Sequence, residues 1–170
     1  VNTGNSYYVA DNYLLLNKTK DTIILAAPKY AYGEYVVPAG IKNISGSAFS
    51  SISTLNKLTI TDNVIVGNSA FDSCINLTEV VIGKNVELGA YAFNNCSSLA
   101  NVTNIEALSY YAPYVFSNTA LTNVVLSDGA IISTGAFSSI KTLVSVDTKD
   151  AIIADKAFID SATPGTIAPP

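Results

Sequence analysis

A small residue followed by phenylalanine recurs six times, at Ala48-Phe49, Ala70-Phe71, Ala92-Phe93, Val115-Phe116, Ala136-Phe137 and Ala157-Phe158, with steps of 22, 22, 23, 21 and 21 between the phenylalanines. Unrelated apolar residues do not keep an interval of this kind. Other positions hold the same beat. Leucine follows as Leu55, Leu77, Leu99 and Leu143, and one residue early as Leu121. Three residues beyond each leucine stand Leu58, Val80, Val102, Val124 and Val146, then Ile60, Ile82 and Leu126, with Asn104 and Thr148 breaking that last column. Ile44, Val66, Leu88, Ile132 and Ile153 precede the phenylalanines at a fixed distance. One unit reads VGNSAFDSCINLTEVVIGKNVE from Val66. Self-similarity at such a period is the mark of a repeat array, in which each unit is one supersecondary element stacked on the next.

Within a unit, Leu77 to Ile82 alternates and is β-branched, so it predicts a short strand. Gly83-Lys84-Asn85 predicts a turn, and Val86 with Leu88 a second short extended piece. Ala92, Phe93 and Cys96 fall at helical spacing and predict one helical turn before Leu99. The expected fold is therefore a mainly β solenoid: a right-handed array with a parallel sheet on one face and short strands and helical turns on the other. A single coil cannot bury its own apolar face, but stacked coils share a continuous core. Adjacent strands would stand about 4.7–4.9 Å apart. The phenylalanines would then form an internal stack, each contributing roughly 1.5–3 kcal/mol before entropy is counted.

Three segments follow. Residues 1–40 read as an N-terminal lead-in: Tyr13 to Leu25 places two apolar runs about a polar turn, the pattern of a hairpin that covers the first coil, and Tyr35 to Ile41 adds a strand and turn. Residues 41–162 hold five to six repeats. Residues 163–170, Thr-Pro-Gly-Thr-Ile-Ala-Pro-Pro, read as a linker or frayed end. The third unit has one residue more, at Thr103-Asn104-Ile105, and a bulge is expected there.

The segment VGNSAFDSCINLTEVVIG from Val66 to Gly83 resembles the BspA-like, or Treponema-type, leucine-rich repeat, whose units follow an I-G-x-x-A-F-x-x-C-x-x-L-x-x-V-x-I-P pattern. LGAYAFNNCSSLANV from Leu88 to Val102 matches the first two thirds of that pattern, and the resemblance runs from about Val37 to Asp160. Members of that family are typically secreted or surface proteins of bacteria, and some occur in protists. The resemblance implies adhesion or protein binding, with an extracellular or cell-surface location and a leader peptide removed or lying outside this stretch.

Composition narrows the chemistry. The chain of 170 residues is 49% hydrophobic and 13% charged, so a core forms and disorder is disfavoured. The net charge is -4, and all nine basic residues are scattered lysines, which argues against nucleic acid and against an anionic membrane surface. No apolar stretch is long enough to span a membrane. Histidine is absent, which removes Ser-His-Asp and Cys-His nucleophiles and the commonest zinc ligand. No phosphate-cradling glycine motif occurs. The expectation is a non-catalytic chain with no cofactor and no metal. A pair among the 13 carboxylates remains the one catalytic option.

Four features invite a functional reading. Cys74 and Cys96 occupy the same place in neighbouring units, as buried small hydrophobes like Ile52 and Ile140 at that position, or as a disulfide between coils. Tyrosines cluster at Tyr7, Tyr8, Tyr30, Tyr32 and Tyr35, and at Tyr110, Tyr111 and Tyr114, as packing or as a sugar or protein contact. Asn17-Lys18-Thr19 and Asn76-Leu77-Thr78 are glycosylation triplets that matter only in a eukaryotic secretory route. Finally, if Leu58, Val80, Val102, Val124 and Val146 point inward, their neighbours form two outward columns. One is Lys57, Glu79, Asn101, Asn123 and Ser145; the other is Thr59, Val81, Thr103, Val125 and Asp147. Solenoids commonly bind through such faces. The expected partner is a protein, of the kind found in host extracellular matrix or serum. A carbohydrate ligand, or a spacer role within a larger surface protein, is the alternative.

Overall fold

The computed structural model of the chain describes residues 7–28, 32–162 and 167–168. Three strands open it, β1 (Tyr8–Asp11), β2 (Leu14–Asn17) and β3 (Thr22–Ala26), followed by β4 (Gly33–Val36) and β5 (Asn43–Ile44). Longer and shorter strands then alternate: β6 (Leu55–Ile60), β7 (Ile65–Val66), β8 (Glu79–Ile82), β9 (Glu87–Leu88), β10 (Asn101–Thr103) and β11 (Tyr110–Tyr111). The last are β12 (Asn123–Val125), β13 (Ile131–Ile132), β14 (Ser145–Asp147), β15 (Ile152–Ile153) and β16 (Ile167–Ala168). Among the described residues the only helical element is a 3-10 turn, Ile105–Ala107.

The chain is a β-solenoid with one coil per phenylalanine and three sides to each coil. One side stacks β4, β6, β8 and β10 in parallel; a second stacks β3, β5, β7 and β9. At the start, β1, β2 and β3 pair antiparallel, so β3 belongs both to this opening unit and to the parallel stack. Leu14, Leu16, Ile23 and Ala26 of the opening strands are buried and join the core. At the far end, Ile167–Ala168 pairs with β14 within the stretch read as a linker; the rest of 163–170 lies outside the described residues.

The third side carries the phenylalanines, and it is not helical. Two residues before each phenylalanine the backbone is left-handed, at Ser47, Ser69, Tyr91, Tyr114, Gly135 and Lys156, and two residues after it again, at Ser51, Ser73, Asn95, Asn118, Ser139 and Asp160. A right-handed helix cannot contain such residues. The expected helical turn at Ala92 to Cys96 is instead a chain of β-turns, with N–H groups alternating between two uses. Ala92, Asn94 and Cys96 donate three residues back to Gly89, Tyr91 and Phe93, at 3.2, 3.1 and 3.3 Å. Tyr91, Phe93 and Asn95 donate to the next coil, to Pro113, Val115 and Ser117, at 3.0, 2.9 and 2.9 Å. Spacings i, i+1 and i+4 fit either path, and the inter-coil bonds decide for the turns.

Inside, the rings stack. Consecutive centroids from Phe49 to Phe158 stand 5.0, 5.3, 5.7, 5.7 and 5.3 Å apart, with interplanar angles of 22° or less. Phe49, Phe71, Phe93, Phe116 and Phe137 are wholly buried, whereas Phe158 in the last coil is half-buried. At the first coil Tyr32 and Tyr35 lie on Phe49, with centroids 5.7 and 5.3 Å away. Cys74 and Cys96 are buried free thiols whose Sγ atoms donate to the carbonyls of Phe49 and Phe71 at 3.1 and 3.2 Å. In the first five coils this position is buried and apolar or weakly polar; in the fourth it is Thr119, whose hydroxyl donates to Phe116 O at 2.9 Å.

The extra residue of the third unit does more than make a bulge. Both sheets end there: β10 is not paired with β12, nor β9 with β11, and the stacks restart as β12-β14-β16 and β11-β13-β15. Asn104 takes a left-handed backbone and exposes itself, and Ile105 one residue later is buried in its place. One added residue moves the inward role by one position. Only the phenylalanine side crosses the break unbroken.

Candidate functional site

The strand face places the outward columns as the alternation requires. Leu58, Val80, Val124 and Val146 are buried and Val102 is half-buried, so the intervening residues face solvent. In the first sheet Lys57, Glu79 and Asn101 align across neighbouring strands, and so do Thr59, Val81 and Thr103. In the second sheet Asn123 aligns with Ser145, and Val125 with Asp147. The ten residues therefore form two patches separated by the break, six on one sheet and four on the other.

The structure lengthens both columns at the N-terminal side. β4 pairs Glu34 with Lys57 and Val36 with Thr59, so Glu34 and Val36 belong to the same face. The repeat alignment could not find them, because β4 lies ahead of the first Ala-Phe pair; the alternating Glu34-Tyr35-Val36 was the available signal. Lys57 stands 3.5 Å from both Glu34 and Glu79, and the two carboxylates, Glu34 first, push its ammonium pKa up. Lys57 and Glu34 are exposed and Glu79 is partly so, and ion pairs of this kind contribute little to stability. Glu34, Val36, Lys57, Thr59, Glu79 and Val81 line a shallow hollow of about 200 Å³. In the second patch Ser145 Oγ donates to Asn123 Oδ1 at 2.6 Å. Asp147 pairs with Lys149 at 2.8 Å, and the hydrogen bond from that lysine holds its carboxyl below the ordinary value.

The face is thus shallow and mixed in sign, with β-branched side chains along one column. Val36 is 60% exposed and Val125 44% exposed, and apolar side chains exposed among polar neighbours suit contact with a partner surface. Among the described residues no group of three or more His, Cys, Asp or Glu is placed to hold a metal. Among them, too, no helix is long and apolar enough to cross a membrane.

The tyrosine clusters divide. Tyr32 is buried and Tyr35 half-buried, as the packing of the first coil requires, while Tyr7 and Tyr8 are exposed; Tyr30 lies outside the described residues. Tyr111 is buried with its hydroxyl on Ile105 O at 2.8 Å, and Tyr110 is 49% exposed. Tyr114 stacks on Tyr91, with centroids 5.0 Å apart at 7°. Tyr91 belongs to no sequence cluster. Its equivalence to Tyr114, 23 residues on in the same place before phenylalanine, was the signal that marks it.

Comparison with known proteins agrees with this architecture. Residues 32–144 match the model of the BspA type leucine rich repeat region in six copies. No curated protein matches the sequence. The fold is similar to that of a leucine-rich repeat protein from T. pallidum, with a TM-score of 0.64 at 21% identity, covering 84% of this chain and 81% of that one. It is also similar to the pneumococcal vaccine antigen PcpA, with a TM-score of 0.63 at 16% identity over 95% of this chain. A leucine-rich repeat protein from Bacteroides ovatus gives a TM-score of 0.64 at 16% identity over 84% of this chain. This chain spans 38% and 40% of the length of the last two. With the six-fold match covering most of its length, the chain belongs to the BspA-type leucine-rich repeat family.

Proposed function

We propose that this chain is an extracellular or cell-surface binding module that holds a protein partner against its strand face. The observation that carries this reading is the alignment of exposed Val36 and Thr103 with half-exposed, outward-facing Thr59 and Val81 across neighbouring strands, beside the charged row Glu34, Lys57 and Glu79. A rigid row of β-branched side chains offers contact area at little cost in side-chain entropy. The flanking charges tune orientation more than affinity. Asn123, Val125, Ser145 and Asp147 form the second contact patch. In this reading residues 1–40 cap the array and 41–162 present the repeats, with Ile167–Ala168 adding a last strand beside β14. The location follows the habit of the family.

The test is capture from extracellular-matrix and serum proteins by the wild-type chain and by Val81→Asp with Val125→Asp. Both substituted side chains lie on the outer face, so the variant is expected to fold. Capture of a protein by wild type and its loss in the variant supports the reading. Equal capture by both removes the strand face as the site.

A further inference from the structure

The break between β9 and β11 leaves a groove on the short-strand side. Ile65, Asn68, Glu87, Gly89, Ser109 and Tyr110 are among its lining residues, and its volume is about 460 Å³. In the rest of this side each strand is paired with the next; here the facing edges are unpaired, so their peptide groups are not spent on each other. Tyr110 stands in the wall, 49% exposed, its hydroxyl accepting from Ser133 Oγ at 3.1 Å.

Two residues beyond the glycine end of the groove lies Tyr91. It and Tyr114 hold φ of 60° and 57°, a left-handed backbone that bulky residues rarely adopt. The same place is served by serine in the first two coils and glycine in the fifth, so tyrosine is not needed to make the turn. The tyrosine pair is specifically accommodated: a Cβ at Gly135 would run into the ring of Tyr114, so the absence of a side chain in the fifth coil lets that ring lie flat. One face of Tyr91 is covered by Tyr114. The other looks toward the coil that carries Ser69, and Tyr91 as a whole is 40% exposed. An exposed, stacked aromatic pair beside a groove offers a flat ring face to a ligand.

We propose that this groove, with Tyr110 in its wall and Tyr91 beyond its end, binds a β-linked oligosaccharide, one pyranose ring lying on the face of Tyr91 turned away from Tyr114 and the following residues passing Tyr110. The ring face of a pyranose whose hydroxyls are equatorial is apolar and matches an aromatic face. Its rim of hydroxyls both donates and accepts, which suits the unpaired strand edges and the Nδ2 of Asn68, whose Oδ1 already accepts from Ala90 N at 3.0 Å. Glu87 is the one charged group among the lining residues, which disfavours an anionic ligand and is compatible with an uncharged one. The site is separate from the strand face and does not rest on it.

Isothermal titration of the full chain with cellohexaose and with chitohexaose tests this. Serine is native to the Tyr91 position at Ser47 and Ser69, so Tyr91→Ser keeps the turn; Tyr110→Ser serves as the second variant. Wild type is expected to bind at least one of the two oligosaccharides. Each variant should weaken that binding by about tenfold or more, while Val81→Asp with Val125→Asp leaves it unchanged. Absence of binding by wild type to both sugars overturns the proposal. So does unchanged affinity in Tyr91→Ser, or binding in the groove by extended peptides and by neither sugar.

Discussion

Phe93 sits between Phe71 and Phe116 at 5.3 and 5.7 Å, with neither face free. Truncating it to alanine removes ring contacts in three coils at once and leaves a cavity that the β-turn ladder cannot close. The expected loss is about 3–5 kcal/mol, read by urea denaturation, with a smaller loss for Phe158→Ala in the half-buried last ring. The thiols give a pH signature. Burial pushes the Cys74 thiol up from 9.0 to about 12, and Cys96 is raised further, chiefly by burial and then by Cys74. The unfolded chain therefore loses these protons at lower pH than the folded one. Their stabilising effect is intact below pH 9 and is lost as pH rises toward 12. Tyr35 and Tyr111, raised by burial in the same sense, add to the decline from a higher starting point. Denaturation midpoints measured from pH 8 upward should hold to about 9 and then fall, and Cys74→Val with Cys96→Val should flatten the first part of that fall. An identical profile in the variant would place the effect elsewhere.

At the scale of one coil, the constraint is closeness of backbone to backbone. A Cβ at Gly67 would stand 2.6 Å from Gly46 N and 2.9 Å from Ile44 O, atoms of the preceding coil that cannot swing aside. Gly129, with φ at +67° and nothing within 4 Å, meets only the left-handed penalty. Gly67→Ala should thus cost about 2–3 kcal/mol or more, and Gly129→Ala about 1 kcal/mol, compared by thermal unfolding. The coil was legible in outline. Period-two alternation gave β6 and β8, and the Ala-Phe beat gave the buried stack. The third side was not, because its left-handed positions are filled by Ser, Asn, Tyr, Gly, Lys and Asp, which share no single signature. The inter-coil bonds that hold them are long-range and leave no local pattern. The outward columns were legible within each sheet, but not their interruption. That depended on whether one added residue would bulge or part the strands.

Over the whole molecule, the parting of both sheets makes two blocks joined by the phenylalanine side. Hydrogen exchange should show the first block, with three parallel interfaces from β4 to β10, protected longer than β14 and β15 beyond the break. Uniform protection across the break would show that the phenylalanine side, with its rings and its turn ladder, couples the blocks into one. Exposed pairs such as Lys57 with Glu34 and Glu79 should matter little, and raising salt to about 1 M should leave the thermal midpoint nearly unchanged. The same turn ladder has an electrical side. In a β-sheet the peptide dipoles nearly cancel. Along the phenylalanine side they do not: Phe49, Phe71, Phe93, Phe116 and Phe137 all donate forward, to Ala70, Ala92, Val115, Ala136 and Ala157. Peptide groups aligned head to tail add up, as they do along a helix axis. The array therefore carries an axial polarity of its own, with its carbonyl pole beneath Tyr32 and Tyr35 and its amide pole at the last coil, so its two ends differ electrically before any side-chain charge is counted.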